Sequence, residues 1–487
     1  MSDRSSPKLI AISFIFLLII ANISIITISS RIAVKTYNDP HYFNISNDNG
    51  SESIYDLLMI SPQKFSNSLK PLVDHKNNYG VKTIQVNIEE VYQQIFWKGR
   101  DNAEKIKYFI KEAIEQWGIR YVLLVGGRQD QSRQETWWIP VRYSYINRGY
   151  LRENNVLLPE EKFISDLYYA DIYDENGIFS SWDDNNNCIF GEWPVNESAV
   201  DIPDLTPDIF VGRLPCRTVF DVKTIVKKII NYETGNFSDS WFKKMVVIAG
   251  DTYPDKTDYY DGEAYTQMGL DMMPGFEPVK LWTSTGTLKN WHDIVKAINQ
   301  GCGFVWFSGH GNSVSWSTHP PNDSSAWIGK FRLWHMLFLR NRGKLPICIA
   351  GSGCFVSMFN VSLGHSERAY WQGLPINVPR CWSWSLARKI GGGSIATIGS
   401  TAFSYESPDI DSGFGGCEWL DMQFFGEYGL KGTDILGETW GNTVTSFVQN
   451  FTINWSDDSS NGDALIVKNV EQWVLIGDPS LKIGGYN

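Results

Sequence analysis

FVWFSGHGNSVSW, residues 304–316, decides how this chain is read. Phe304–Phe307 form a short, unbroken apolar run, the pattern of a strand buried on both faces. The run breaks at Gly309, His310 and Gly311, and small polar residues follow before Trp316. A second stretch repeats the plan. PICIAGSGC, residues 346–354, is an apolar run that ends among glycines on Cys354. In open parallel sheets, functional groups collect beyond the carboxyl ends of the strands. If these two strands are neighbours, the imidazole of His310 and the thiol of Cys354 rise from adjacent loops. That adjacency is the expectation on which the functional reading rests.

Apolar runs alternate with helix-spaced segments from Tyr55 onward. A short run at 55–60 is followed by strands at 81–86, 120–125 and 209–211, with helices over 62–79, 103–117 and 219–232. Residues 126–208 show no regular period. NFSDSW, residues 236–241, marks a boundary, after which the alternation resumes. Strands are expected at 244–249, 279–282, 303–307, 346–350 and 394–398, and helices over 262–272, 290–299 and 383–390. A last apolar run, WVLI at 473–476, leads into GDPSL. Strands alternating with helices of this length imply parallel sheets covered by helices on both faces. The expected architecture is two tandem α/β subdomains, residues 55–235 and 236–487.

The composition agrees with a large packed core: 487 residues, 43% hydrophobic and 14% aromatic. The net charge is −11, with no basic stripe and no zinc-finger spacing. Nucleic acid is therefore excluded as a partner. Leu9–Ser30 carries no charge, and its 22 residues would span about 33 Å as a helix, enough for a bilayer. No small-x-small cleavage site precedes Arg31. Residues 1–31 are expected to be a transmembrane anchor, with secretion after signal cleavage as the alternative, and the polar residues 32–54 a linker. Eight Asn-x-Ser/Thr sequons outside the apolar segment place the folded part outside the cytoplasm, as a glycoprotein.

The pairing of His310 with Cys354 carries specific chemistry. A thiol attacks as thiolate and is mostly protonated at neutral pH, so it needs a base. An imidazole takes that proton and later returns it to the leaving amine. Glycines clear space for substrate, and the amide of Gly311 is a candidate oxyanion donor. This equipment suits acyl transfer from a peptide bond. No cofactor is required for it.

Two acidic stretches add candidates. GDTYPDKTDYYDGE, residues 250–263, follows a strand at the expected catalytic edge. Asp251 and Glu263 are its first choices to orient His310 or to meet a basic substrate side chain. WDDNNNCIFGE, residues 182–192, alternates oxygen side chains at Asp183, Asn185 and Asn187, with Glu192 beyond. With Asp171 joining by tertiary contact, this set suits a structural calcium ion. A surface turn rich in asparagine is the alternative.

The motifs GHGN (309–312), YVLLVGG (121–127), DLYYADIYDENG (166–177), FGE (190–192), PDIFVGRLP (207–215), GGGSIATIGST (391–401) and WVLIGDPSL (473–481) stand in one order. With Cys354, this set resembles the caspase-like cysteine peptidases, and most closely the gingipain family, over about residues 55–485. The resemblance implies a caspase-like α/β fold in two subdomains and a cysteine endopeptidase acting on polypeptide substrates. It makes Cys354 the nucleophile, His310 the base, and the amides of Gly311 and Cys354 the oxyanion donors. It also adds weight to calcium, which gingipains bind. The immunoglobulin-like and adhesin modules of gingipains have no counterpart after GDPSL, and no acid is assigned to a primary specificity pocket. A transpeptidase on the same dyad, an inactive surface binding protein of peptidase fold and a calcium-dependent adhesin are the competing readings.

Overall fold

The computed structural model describes residues 55–486 apart from 149, 154–155, 160–161, 238–239, 256, 352–354, 365–369, 372–373, 376 and 408–414. The apolar segment Leu9–Ser30 and Cys354 lie outside the described residues. Among the described residues no helix is long and apolar enough to cross a membrane.

The central element is a ten-stranded sheet. In chain order its strands are β1 (Leu57–Ser61), β2 (Thr83–Asn87), β3 (Tyr121–Val125), β4 (Phe210–Leu214), β5 (Lys244–Ala249), β6 (Glu277–Trp282), β7 (Phe304–Ser308), β8 (Ile347–Gly351), β9 (Ala396–Ser400) and β10 (Trp473–Ile476). Across the sheet they lie in the order β6-β5-β7-β8-β9-β10-β4-β3-β1-β2. All neighbours are parallel except β9 and β10. The α/β fold with a mainly parallel sheet is thus as expected. Strands from residues 55–235 and from 236–487 share this one sheet. The last strand, β10, joins them: it is antiparallel to β9, with Ser400 opposite Trp473, and parallel to β4, with Ile476 opposite Arg213.

The interior strands are continuous apolar runs because helices cover both faces. Every residue of β1, β3, β7, β8 and β9 is buried. The covering helices include α1 (Ser66–Asn78), α2 (Asn102–Trp117), α3 (Val219–Glu233), α4 (Asp261–Asp271), α5 (Trp291–Gln300) and α6 (Cys417–Gly429). Their ends follow local chemistry. Asp101 accepts the Glu104 amide at 2.8 Å to start α2, and Gly118, at φ 69°, ends it in a left-handed turn. Asn290 and Asp293 form a reciprocal capping box on α5.

Residues 126–208 are not wholly irregular. Tyr143–Tyr145 pairs with Lys162–Ile164, and Tyr150–Glu153 with Val156–Pro159. Helices α6, Leu436–Asn450 and Gly462–Gln472 were not expected from the sequence.

The chain's end is fastened by a buried ion network. Lys76 of α1 is fully buried and sits 2.8 Å from Glu233 of α3 and 2.8 Å from Asp478, just past β10. Burial alone would lower the pKa of this ammonium; Asp478 and Glu233 raise it instead, so the cation persists. Glu233 also takes the His75 ring at 2.9 Å. Breaking a buried ion pair from one side leaves charge uncompensated. Lys76→Met is therefore expected to lower unfolding free energy by about 3–5 kcal/mol, read from urea melts. An unchanged midpoint would show that the network does not secure β10.

Candidate active site

Strands β7 and β8 are immediate neighbours in the sheet. Their register runs from Phe304 opposite Ile347 to Ser308 opposite Gly351. His310 follows the end of β7 by two residues, and Cys354, outside the described residues, follows the end of β8 by three. The far side of that gap is also tied down: the Phe355 amide donates to the Gly311 carbonyl at 3.1 Å. The two loops that carry the expected pair therefore leave adjacent strands and rejoin through a backbone hydrogen bond.

Gly309 explains the first fencing glycine. Its φ of 154° turns the chain out of β7, and a Cβ there would come within 2.9 Å of the Ser317 carbonyl oxygen. His310 and Gly311 then pair with Ser317 and Trp316 in a small antiparallel sheet, completed by Ile328–Arg332. This hairpin holds the imidazole at the strand's end.

The His310 ring is oriented by a backbone group that no sequence motif marks. Its Nε2 lies 2.8 Å from the Thr252 carbonyl oxygen. A carbonyl only accepts, so Nε2 carries the hydrogen and Nδ1 is the basic nitrogen. Burial pushes the imidazole pKa down to about 4, against the opposing effect of the Thr252 bond, and nearby His319 lowers it further. The neutral ring is the resting form at neutral pH. Tyr253, His319 and Trp327 surround it at centroid distances of 5.2, 5.5 and 5.4 Å.

The acids of residues 250–263 frame this arrangement without hydrogen-bonding the imidazole. Asp251 accepts the Asn322 amide at 2.7 Å and gives its own amide to the His319 carbonyl at 3.1 Å. Glu263 accepts the Ser284 amide at 2.9 Å and the Thr283 hydroxyl at 3.2 Å, tying α4 to the end of β6. The acid that acts on the His310 partner is Asp261. Its carboxylate accepts the amides of Thr252 at 2.6 Å, Gly262 at 2.8 Å and Tyr253 at 3.2 Å. It thereby fixes the peptide whose carbonyl meets Nε2. Burial pushes its pKa up to about 6. Its place in the first turn of α4 was the one signal in the sequence.

The residues proposed for calcium fall in two places. Asp183, Asn185, Asn187 and Glu192 share one turn, where Asp183 accepts the amides of Asn187 and Cys188, each at 2.9 Å, and pairs with Arg100. Asn187 donates to Glu192 at 2.6 Å. Asp171 is fully buried and accepts the Trp182 indole at 2.8 Å. Among the described residues no three His, Cys, Asp or Glu side chains are arranged to hold a metal. In this arrangement the Arg100 guanidinium already supplies the positive charge at Asp183.

Six cysteines are described, all as free thiols. Cys216, Cys302, Cys348, Cys381 and Cys417 are buried, and burial pushes each thiol's pKa upward. They remain protonated and inert. Cys188 is exposed on the asparagine-rich turn.

The family model for peptidase family C25 matches residues 51–484. The chain belongs to peptidase family C25. Gingipain R2 of Porphyromonas gingivalis strain W83 is 24% identical over 450 residues, covering 88% of this chain and 46% of the relative. Gingipain R1 of the same species is 25% identical over 313 residues, 61% of this chain and 24% of that protein. This C25 chain thus spans less than half the length of these curated relatives. Among solved structures, it resembles the Arg-specific cysteine proteinase gingipain R, with a TM-score of 0.58, 20% identity, and coverage of 89% of this chain and 79% of that one. The complex of the RgpB pro- and mature domains from Porphyromonas gingivalis gives 0.57 at 20% identity, over 88% and 79%. At these identities the structures speak for the fold of the C25 chain alone.

The His310 assignment has a direct consequence. An NMR titration of the imidazole in the Cys354→Ala protein should place its midpoint near 4, well below the ordinary value of about 6.5. A midpoint at or above the ordinary value would contradict the half-buried, Thr252-bound ring.

Proposed function

We propose that the chain is a cysteine endopeptidase in which Cys354 attacks the peptide carbonyl and His310 manages the proton. The observation that carries this reading is the pairing of β7 with β8, together with the Phe355–Gly311 bond that closes the two loops on each other. Membership of peptidase family C25 supports the same chemistry. So does the state of the other thiols, five of which are buried and protonated.

The mechanism follows from the tautomer. With Nε2–H held by Thr252, Nδ1 takes the proton from the Cys354 thiol as sulfur bonds to the carbonyl carbon. An imidazole whose pKa is depressed to about 4 does not deprotonate an ordinary thiol in advance. Proton transfer therefore accompanies attack, as general-base catalysis. The carbonyl oxygen gains negative charge and is met by the amides of Gly311 and Cys354. The tetrahedral intermediate collapses when Nδ1–H protonates the amine, which leaves and creates the thioester. Water then attacks the thioester with Nδ1 again as base, releasing the acid and restoring the thiol. Each step uses only these groups, the substrate and water.

The unlabelled N-terminus enters the same proposal from sequence alone. The uncharged Leu9–Ser30 segment is read as a membrane anchor, with the catalytic domain outside the cytoplasm. Carbonate extraction of membranes from expressing cells should leave the full chain in the pellet. Quantitative release would contradict the anchor.

The enzymatic claim is tested with a peptide acyloxymethyl ketone and mass spectrometry of the labelled protein. Label is expected on Cys354 alone. His310→Ala should abolish it, and either Cys354→Ala or His310→Ala should lower proteolysis by about a thousandfold or more. Label spread over several cysteines, or proteolysis unaffected by His310→Ala, would defeat the reading.

A further inference from the structure

One buried carboxyl touches both strands that lead to the proposed dyad. Asp421 projects from α6 and is fully buried. Its Oδ2 accepts the Trp306 indole N–H at 2.8 Å. Trp306 lies in β7, four residues before His310. The same carboxyl lies against Gly351, the last residue of β8, three residues before Cys354. A Cβ at position 351 would fall 1.7 Å from Oδ2 and 2.5 Å from the carboxyl carbon. No side chain other than hydrogen fits there while Asp421 keeps its place.

The arrangement is unfavourable by ordinary packing rules. Burial pushes the Asp421 pKa well above the usual carboxylate range, and Glu418 adds to the effect, so the group is neutral. Among the described residues its second oxygen, Oδ1, has no hydrogen-bond partner. Burying a polar atom without a partner is costly, and only the bond to the Trp306 indole offsets it here. Gly351 adds a second local weakness, since glycine in a strand gives up packing. The indole is gripped from its other sides as well: the Phe425 ring of α6 lies 5.2 Å away, and Gly269 of α4 approaches it so closely that a Cβ there would meet Cζ3 at 2.5 Å. One glycine and a buried acid thus converge on the tryptophan, and the acid meets a second glycine at the end of β8. Features that weaken local packing concentrate where function sets the geometry.

We propose that Asp421 is a positioning residue for the His310–Cys354 pair. The inference rests on the peptidase reading given above. Backbone pairing already sets β7 beside β8. The Asp421 carboxyl adds a fixed distance between the Trp306 side chain and the Gly351 backbone, and so sets how far the end of β8 stands relative to the end of β7. It does not touch the substrate or the reacting atoms. A displacement of about 1 Å in a reacting group can cost on the order of a hundredfold in rate, so a small error at Gly351 matters three residues later.

Two replacements separate positioning from bulk structure. Asp421→Asn keeps a neutral group that accepts from the Trp306 indole. Asp421→Leu keeps the volume and removes the hydrogen bond. The measurements on the full chain are kcat and KM on a denatured protein substrate, the pH dependence of Cys354 alkylation by iodoacetamide followed by mass spectrometry, and the melting temperature. Asp421→Leu leaves the Trp306 indole N–H without its acceptor, so it should melt somewhat below the wild-type temperature, lose about ten- to a hundredfold in kcat with KM unchanged, and slow Cys354 alkylation towards the rate of the His310→Ala protein. Asp421→Asn should retain kcat within about threefold and keep the wild-type profile. A Leu variant with wild-type kcat and profile would overturn the proposal and leave the peptidase reading intact, as would an Asn variant as slow as the Leu variant. A wild-type protein whose Cys354 alkylation is indifferent to His310→Ala would overturn both. If Asp421→Leu does not fold, Gly351→Ala gives the same test from the opposite strand: kcat should fall with KM unchanged, and wild-type kcat there would overturn the proposal.

Discussion

The pairing of β7 with β8 is the constraint from which the site follows. Five consecutive residue pairs, from Phe304–Ile347 to Ser308–Gly351, hold the two strands in parallel register. Parallel strands end on the same side, so both chains turn out of the sheet together. The sequence then supplies what each turn needs. Gly309 permits the exit of β7, and a backbone bond between Phe355 and Gly311 closes the loops.

Around that pair the protein uses backbone geometry more than side-chain charge. The imidazole is oriented by the Thr252 carbonyl, and that carbonyl is held because Asp261 binds the amides on either side of it. The charged groups expected beside the histidine serve the frame instead. Asp251 joins the loop after β5 to the loop at Asn322, and Glu263 joins α4 to the end of β6. A neutral base is the result: a low pKa keeps the imidazole ready to accept a proton across the physiological range. At the far side of the sheet a different solution appears. There Lys76 gathers Glu233 and Asp478 in a fully buried ion network, which ties the segment just past β10 to α1 and α3.

Much of this was legible in the sequence, for physical reasons. The strands β5, β7, β8 and β9 are short apolar runs bounded by glycine or polar residues, and covered parallel strands leave that signature. Helix spacing placed helices over 103–117 and 290–299, where α2 and α5 lie. Helix α6 was not foreseen because its buried set includes Glu418, Asp421 and Glu427, which break the apolar period. The orienting role of Thr252 left no trace because a backbone carbonyl has no residue type. For the turn at residues 182–192, alternating oxygens suggested an ion, and the structure adds that Asp183 accepts two backbone amides and pairs with Arg100. Sequence spacing gives the donors and leaves out the competitors. The adjacency of β7 and β8 was likewise beyond the sequence, since strand order in a parallel sheet is set by crossovers that spacing does not encode.

The most direct measurement of the central claim is a crystal structure of the protein inactivated by a peptide ketone. The account predicts a thioether at Cys354, with Nδ1 of His310 facing the sulfur across about 3–4 Å and Nε2 still donating to Thr252. A sulfur on the opposite side of the sheet from the imidazole, or a ring turned so that Nε2 faces the sulfur, would contradict it.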